Sequence, residues 1–212
     1  MKFTKTLLAL AIASSAAIAP TAFAQSADLS VTGRIFPGAC VVELGNGGNA
    51  DLGDIRLDSL QSDIHTVLDD VDLPMSVSCE SAVRFAFQGV DNNPDTSING
   101  SQYGLGLTPA DEKIGSARVG LVDVTIDGEQ GRARTSEDGG ATWTIALVPG
   151  YANIGENNLL GFNIGLAEAA PTAIENLQGT LKVKATIAPT SALTVTDEVQ
   201  INGSATINLV YL

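Results

Sequence analysis

The residues able to do chemistry are few and scattered. His65 is the only histidine. It stands next to Ile64 and close to Asp63, Asp69 and Asp70, and no G-x-S-x-G elbow occurs to supply a nucleophile for it. Carboxylate pairs such as Asp69-Asp70 and Glu137-Asp138 fall in expected turns, where such groups are solvated. Glycoside cleavage would need two of them across a cleft, one with a raised pKa. Asp91, Asn93, Asp95 and Ser97 alternate oxygen donors as a calcium loop does. A helix-flanked calcium loop needs glycine at position 96 and glutamate at 102, where this chain has Thr96 and Gln102 between strand-like flanks. The reading adopted is a solvated acidic turn, with no metal and no cofactor expected.

Ser136-Glu137-Asp138-Gly139-Gly140-Ala141-Thr142-Trp143 is similar to the Asp-box of sialidases, S-x-D-x-G-x-T-W. The physics of the motif is a hairpin turn. The aspartate accepts turn N–H groups, the glycines allow positive φ, and the tryptophan packs beneath. A sialidase would also need several such boxes around a propeller and an arginine cluster. The box is therefore read as a structural hairpin, with Trp143 in the core, and no catalytic residue is assigned.

The elements that must hold these groups are set by composition. The chain has 212 residues, 11 Lys+Arg against 24 Asp+Glu, and a formal net charge of -13. Such a surface repels phosphate backbones and anionic headgroups, which argues against nucleic-acid binding and electrostatic membrane docking. Lys2 and Lys5, an uncharged apolar stretch from Leu7 to Ala19, and Ala22-Phe23-Ala24 form the pattern of a secretory signal over residues 1–24, with 25–212 as a single mature domain. The apolar run is too short for a transmembrane anchor. Export gives the two cysteines, Cys40 and Cys79, an oxidising compartment, where a pair is a disulfide. Closing a loop of about 40 residues stabilises by roughly 4 kcal/mol in the chain-entropy treatment.

Alternation with period two recurs along the mature chain. It runs through Leu29, Val31, Gly33 and Ile35 up to Pro37. It returns in Leu73 to Cys79 with Val83, Phe85 and Phe87, then in Val119–Ile126, Thr142–Val148, Leu159–Leu166, Leu177–Ile187, and Ala205, Ile207, Leu209 and Tyr211. Clusters rich in Gly, Asn and Asp separate the runs. Only Leu57, Leu60, Ile64, Val67, Leu68 and Val71 show helical spacing, so that stretch is either one short helix or an irregular link. Many short strands imply an all-β sandwich or barrel. An apolar alternating strand ending at Leu212 needs its faces and its free edge covered, from within the chain or from another chain.

Four stretches resemble the subunits of chaperone–usher fimbriae. Val31-Thr32-Gly33-Arg34-Ile35, with Gly33 seven residues before Cys40, resembles their first strand. Asp51-Leu52-Gly53-Asp54-Ile55 resembles their LG-x-I/V segment, and Leu73 to Cys79 their second strand. Gly203 to Leu212, with its penultimate Tyr211, resembles their C-terminal motif. The ends, and Tyr103-Gly104-Leu105-Gly106, are also similar to the fimbrial-type family DUF1120. The resemblance implies an immunoglobulin-like β-sandwich lacking its seventh strand and completed by a donated one. It implies a periplasmic chaperone, an outer-membrane usher and neighbouring subunits as partners. Ala205, Ile207, Leu209 and Tyr211 would then form the groove, and the carboxylate of Leu212 would be held by the chaperone. The lead before Cys40 is short. If Val31 to Phe36 forms the first strand, either Ala27, Leu29 and Val31 are the plugs of a short donor strand, or the subunit accepts a strand and donates none. The former is preferred.

The function expected is that of a non-enzymatic structural or adhesive subunit, exported to the periplasm and displayed on a surface fimbria. The alternative is a self-complete secreted β-sandwich that binds glycan or another ligand.

Overall fold

A computed structural model describes residues 39–146, 151–165 and 169–212. Its regular elements there are strands and short 3-10 turns, so the all-β expectation holds. The long strands are β1 (Cys40–Leu44), β3 (Val71–Val83), β4 (Phe85–Asp91), β6 (Gly115–Ile126), β7 (Glu129–Ser136), β10 (Leu159–Ile164), β11 (Ile174–Ile187) and β12 (Ala205–Tyr211). Short strands β2 (Thr66–Val67), β5 (Tyr103–Gly104), β8 (Thr144–Ile145) and β9 (Ala152–Asn153) pair beside them.

Antiparallel pairing links the long strands in one path, β1-β3-β11-β6-β7-β10-β4-β12. The path crosses from one layer to the other through the β6–β7 hairpin. There Asp127 and Gly128 both take positive φ, 49° and 84°, the pairing a tight two-residue hairpin demands. The Asp127 carboxylate accepts the N–H of Asn176 at 2.8 Å, tying the turn to β11.

The chain also doubles back at Arg84, between β3 and β4. The Gly89 N–H donates to the Gly155 carbonyl at 3.0 Å, and the neighbouring Ile154 N–H donates to Val119 at 2.9 Å. Val119 pairs with Val183, which pairs with Val71. The far end of β4 therefore lies over the start of β3. The sheet so curls into a nearly closed, barrel-like form around one apolar core. Leu73, Met75 and Val77 from β3, Phe87 from β4, Leu121 from β6, Phe162 from β10 and Leu177 from β11 meet there. Phe87 packs edge-on against Phe85 and Phe162, with ring centroids 5.6 and 6.4 Å away. A second, smaller core gathers Leu105, Ile114, Ala117, Ala185 and Ile187.

Of the two readings of the stretch with helical spacing, the irregular link is the one found, with a 3-10 turn at Leu57–Ser59 followed by β2. Its apolar residues Leu60 and Leu68 drop individually into the second core, which an irregular chain achieves as well as a helix. Other expectations need correction. The run expected over Thr142–Val148 is a strand only at Thr144–Ile145 within the described residues. β11 begins three residues before the expected Leu177. The first strand expected at Val31 to Phe36 lies outside the described residues. The first strand described is β1, which the alternation had not marked.

Gly89 shows how tightly the fold is closed. A Cβ there would collide with the hydroxyl of buried Tyr103, which donates to the Ile154 carbonyl at 2.7 Å. Gly89→Ala should lower the unfolding free energy by about 1–3 kcal/mol through overpacking, read as a lower urea midpoint at constant slope.

Candidate functional site

The site is the gap between the two ends of the strand path. Among the described residues β1 pairs only with β3, and β12 pairs only with β4. Each therefore has one open side.

Which backbone groups face that side follows from the ladders. In an antiparallel pair, hydrogen-bonded and non-bonded positions alternate. The Asn92 N–H donates to Ser204 and the Leu212 N–H donates to Arg84, both at 3.0 Å. Even-numbered residues of β12 are thus the ones bonded to β4. The N–H and C=O groups of Ala205, Ile207 and Leu209 point away from β4, on the side where no described strand pairs. The same argument holds for β1. The Glu80 N–H donates to Ala39 at 3.0 Å, so Cys40, Val42 and Leu44 direct their backbone groups to the open side. The Cys40–Cys79 disulfide joins a directly opposed, non-bonded pair, with Cα atoms 4.0 Å apart. Non-bonded pairs are the closer ones in such ladders.

On both strands the residues with open backbone groups also turn apolar side chains to the core. Cys40, Val42, Leu44, Ile207, Leu209 and Tyr211 all pack against it while remaining half-buried. β1 runs away from the Arg84 bend and β12 runs towards it, so the two are antiparallel to each other. They meet at one end, where the Cys40 N–H donates to the Tyr211 hydroxyl at 3.0 Å. From there they border a groove of about 1100 Å³, with Val42 and Leu44 on one side, Ala205 and Ile207 on the other, and Leu73 and Val183 between.

Two loops close the groove's far end. In the first, the Asp51 carboxylate accepts the Gly53 N–H at 2.9 Å. Gly53 takes φ 66°, and Leu52 enters the second core. The second is the segment before β12, in which Leu193, Val199 and Ile201 join the same core. Sequence reading missed that segment, although the spacing of Leu193 with Val195 and of Val199 with Ile201 was visible. The described lining includes Asp51, Asp54, Asp197 and Glu198 and no lysine, arginine or histidine.

Of the groove residues expected at the C-terminal strand, Ile207, Leu209 and Tyr211 face inward, while Ala205 and Leu212 are exposed at its two ends. Ala27, Leu29 and Val31, the expected donor residues, lie outside the described residues.

The other constellations serve structure. Asp91 is buried, and its two oxygens accept the N–H groups of Asn93 and Gly104, both at 2.9 Å. His65 is exposed in the link. The Asp-box is the β7–β8 turn, with Thr135 opposite Thr144. Asp138 accepts the Ser136 hydroxyl at 2.7 Å and the Thr142 N–H and hydroxyl at 2.9 and 2.6 Å. Trp143 is half-buried and donates from Nε1 to the Gly140 carbonyl at 3.0 Å.

A family model matches residues 29–102, and two known proteins are similar over nearly the whole chain. Residues 29–102 match the family model described as Protein of unknown function (DUF1120). That stretch holds β1, the irregular link, β3 and β4, which is one wall of the groove and the partner of the other. Over 96% of its length the chain is 26% identical to Uncharacterized protein YhcF of Escherichia coli (strain K12), covering 98% of that protein. It is 23% identical to Protein GltF of the same organism, over the full length of both.

Two outcomes follow. Tyr211→Phe removes the acceptor of the Cys40 N–H and should cost about 1 kcal/mol in urea unfolding; an unchanged midpoint would mean that bond adds nothing. Hydrogen bonds from Thr142 and then Ser136 hold the Asp138 carboxyl down at about 2, from an ordinary 3.8. A depressed carboxyl contributes stability above its unfolded pKa and loses it as pH falls towards the folded one. Asp138→Ala should therefore melt below wild type at pH 7, with the two melting temperatures converging between about pH 4 and pH 2. Parallel curves down to pH 2 would refute this.

Proposed function

We propose that the chain is a structural or adhesive subunit of a cell-surface fimbria, completed by strand addition in the groove between β1 and β12. The observation that carries the reading is the paired open edge. Two strands of opposite direction border one groove, and on each the residues whose backbone groups turn away from the neighbouring described strand also present apolar side chains. That is the requirement for β-strand addition, in which main-chain bonds supply affinity and alternate side chains fill the cleft. In this reading the fold is an immunoglobulin-like sandwich short of one strand. A periplasmic chaperone covers the groove first, and at the outer-membrane usher a neighbouring subunit takes its place. A head-to-tail contact of this kind does not close on itself, and so builds a filament. The order of the fimbrial-type stretches along the sequence supports the same conclusion.

The test is display. Immunogold microscopy of cells expressing the chain with a fimbrial chaperone and usher should show it along surface filaments. Leu209→Asp, which places a charge at the groove-facing edge, should abolish filaments and co-purification with the chaperone. A wild-type chain that stays a free monomer in periplasm and medium would overturn the reading.

A further inference from the structure

We propose that the groove selects its occupant by charge: the strand that enters is apolar at alternate positions and carries lysine or arginine at its C-terminal end, where Asp51, Asp54, Asp197 and Glu198 border the groove. The inference rests on the strand-addition reading and names the chemistry of the partner in it.

The walls set what the body of the occupant must be. Ala205, Ile207 and Leu209 turn their N–H and C=O groups away from β4, and Val42 and Leu44 turn theirs away from β3. Leu73 and Val183 line the groove between them, and the lining continues through Leu105 and Ile187 of the second core. An extended segment with an apolar side chain at every second position meets both demands at once.

Its direction follows from the two edges. β12 offers seven residues and β1 five, and the Cys40 N–H is already given to the Tyr211 hydroxyl. Most new main-chain bonds therefore go to β12, and antiparallel pairing is the more stable per residue. The occupant then runs opposite to β12. Since β12 starts at Ala205, at the far end of the groove, the C-terminal end of the occupant arrives there.

That end carries one sign of charge. Asp51 and Asp54 stand on one loop, and Asp197 and Glu198 on the segment that leads into β12. All four are exposed, and no lysine, arginine or histidine joins them in the described lining. The cations adjacent in sequence to lining residues are held elsewhere. Arg56 is paired with Asp58 at 2.5 Å, and Lys113 donates to the Ser97 carbonyl at 3.0 Å. Arg118 lies over the Tyr151 ring, 5.1 Å from its centroid. Lys182 and Lys184, on either side of Val183, are paired with Asp70 and Asp72. Among the described residues no ion pair involves any of the four groove acids.

A cleft with apolar walls and one sign of charge concentrates the field and speeds the arrival of the opposite charge. A strand ending in carboxylates would instead meet like charges. The acids thus discriminate among apolar strands that the walls alone accept equally.

The experiment offers the full chain fluorescent, amidated peptides of about nine residues, a usual strand length, alternating valine with threonine. One ends in a lysine pair, one ends in a glutamine pair, and one begins with the lysine pair. Association is followed by stopped-flow anisotropy on wild type and on the combined variant Asp51→Asn, Asp54→Asn, Asp197→Asn and Glu198→Gln. These sites are exposed, and asparagine keeps an acceptor for the Gly53 N–H. The peptide ending in lysines should associate about tenfold faster than the glutamine peptide at low salt. The gain should vanish near ~1 M salt, where the Debye length is about 3 Å. It should also vanish on the variant, while the glutamine peptide keeps one rate on both chains. Equal rates for lysine and glutamine peptides, a gain that survives on the variant, or an equal gain from lysines at the start would each overturn charge selection and leave strand addition standing. If no peptide binds either chain, the strand-addition reading falls with it.

Discussion

A backbone N–H or C=O beside an apolar core must find a partner, because leaving it unpaired costs as much as a lost hydrogen bond. In this fold that constraint is concentrated at two strands. β1 and β12 end the strand path, and each spends half its backbone groups on one neighbour. The other half turns away from that described neighbour, on the same residues whose side chains cover the core. Packing and pairing cannot be satisfied separately there. In the proposed reading, a strand added there would supply both the hydrogen bonds and the side chains that seal the core.

The rest of the molecule holds these edges in place. The Cys40–Cys79 disulfide fixes β1 to β3 at the point where the groove begins. The Tyr211 hydroxyl reaches across to the Cys40 N–H and sets the spacing of the walls at that end. At the opposite end the loops around Leu52 and Ile201 give the groove a floor and an acidic border. The chemistry-bearing residues elsewhere act as turn and cap: Asp91 on Asn93 and Gly104, Asp127 on Asn176, and Asp138 on Thr142.

Much of this was legible because strand alternation is a local signal. Leu73 to Cys79 and Ala205 to Tyr211 read as half-buried strands and are such. The disulfide, expected from two cysteines and the signal-like pattern read in residues 1–24, is present. The groove was legible only through its C-terminal wall. Its other wall, β1, is five residues long and follows a segment whose stronger alternation drew the first-strand assignment away from it. The contact that joins the walls spans 171 residues of sequence, and no local spacing encodes it. The link from Leu57 to Val71 could be read two ways because helical spacing and scattered insertion into a second core leave the same pattern.

The place of β11 has a consequence for the order in which the fold can form. This strand lies late in the chain, yet it sits between β3 and β6, in the middle of the sheet. A chain emerging from its N-terminal end therefore exposes β3 and β6, each with an open flank, until the residues from Ile174 onward arrive. Contacts so distant in sequence are slow to form, and unpaired strands that wait for them are prone to aggregate. Vectorial delivery of this polypeptide thus creates a nascent state with more open edges than the finished one. The edges of β3 and β6 that face β11 are thus the ones exposed longest during synthesis.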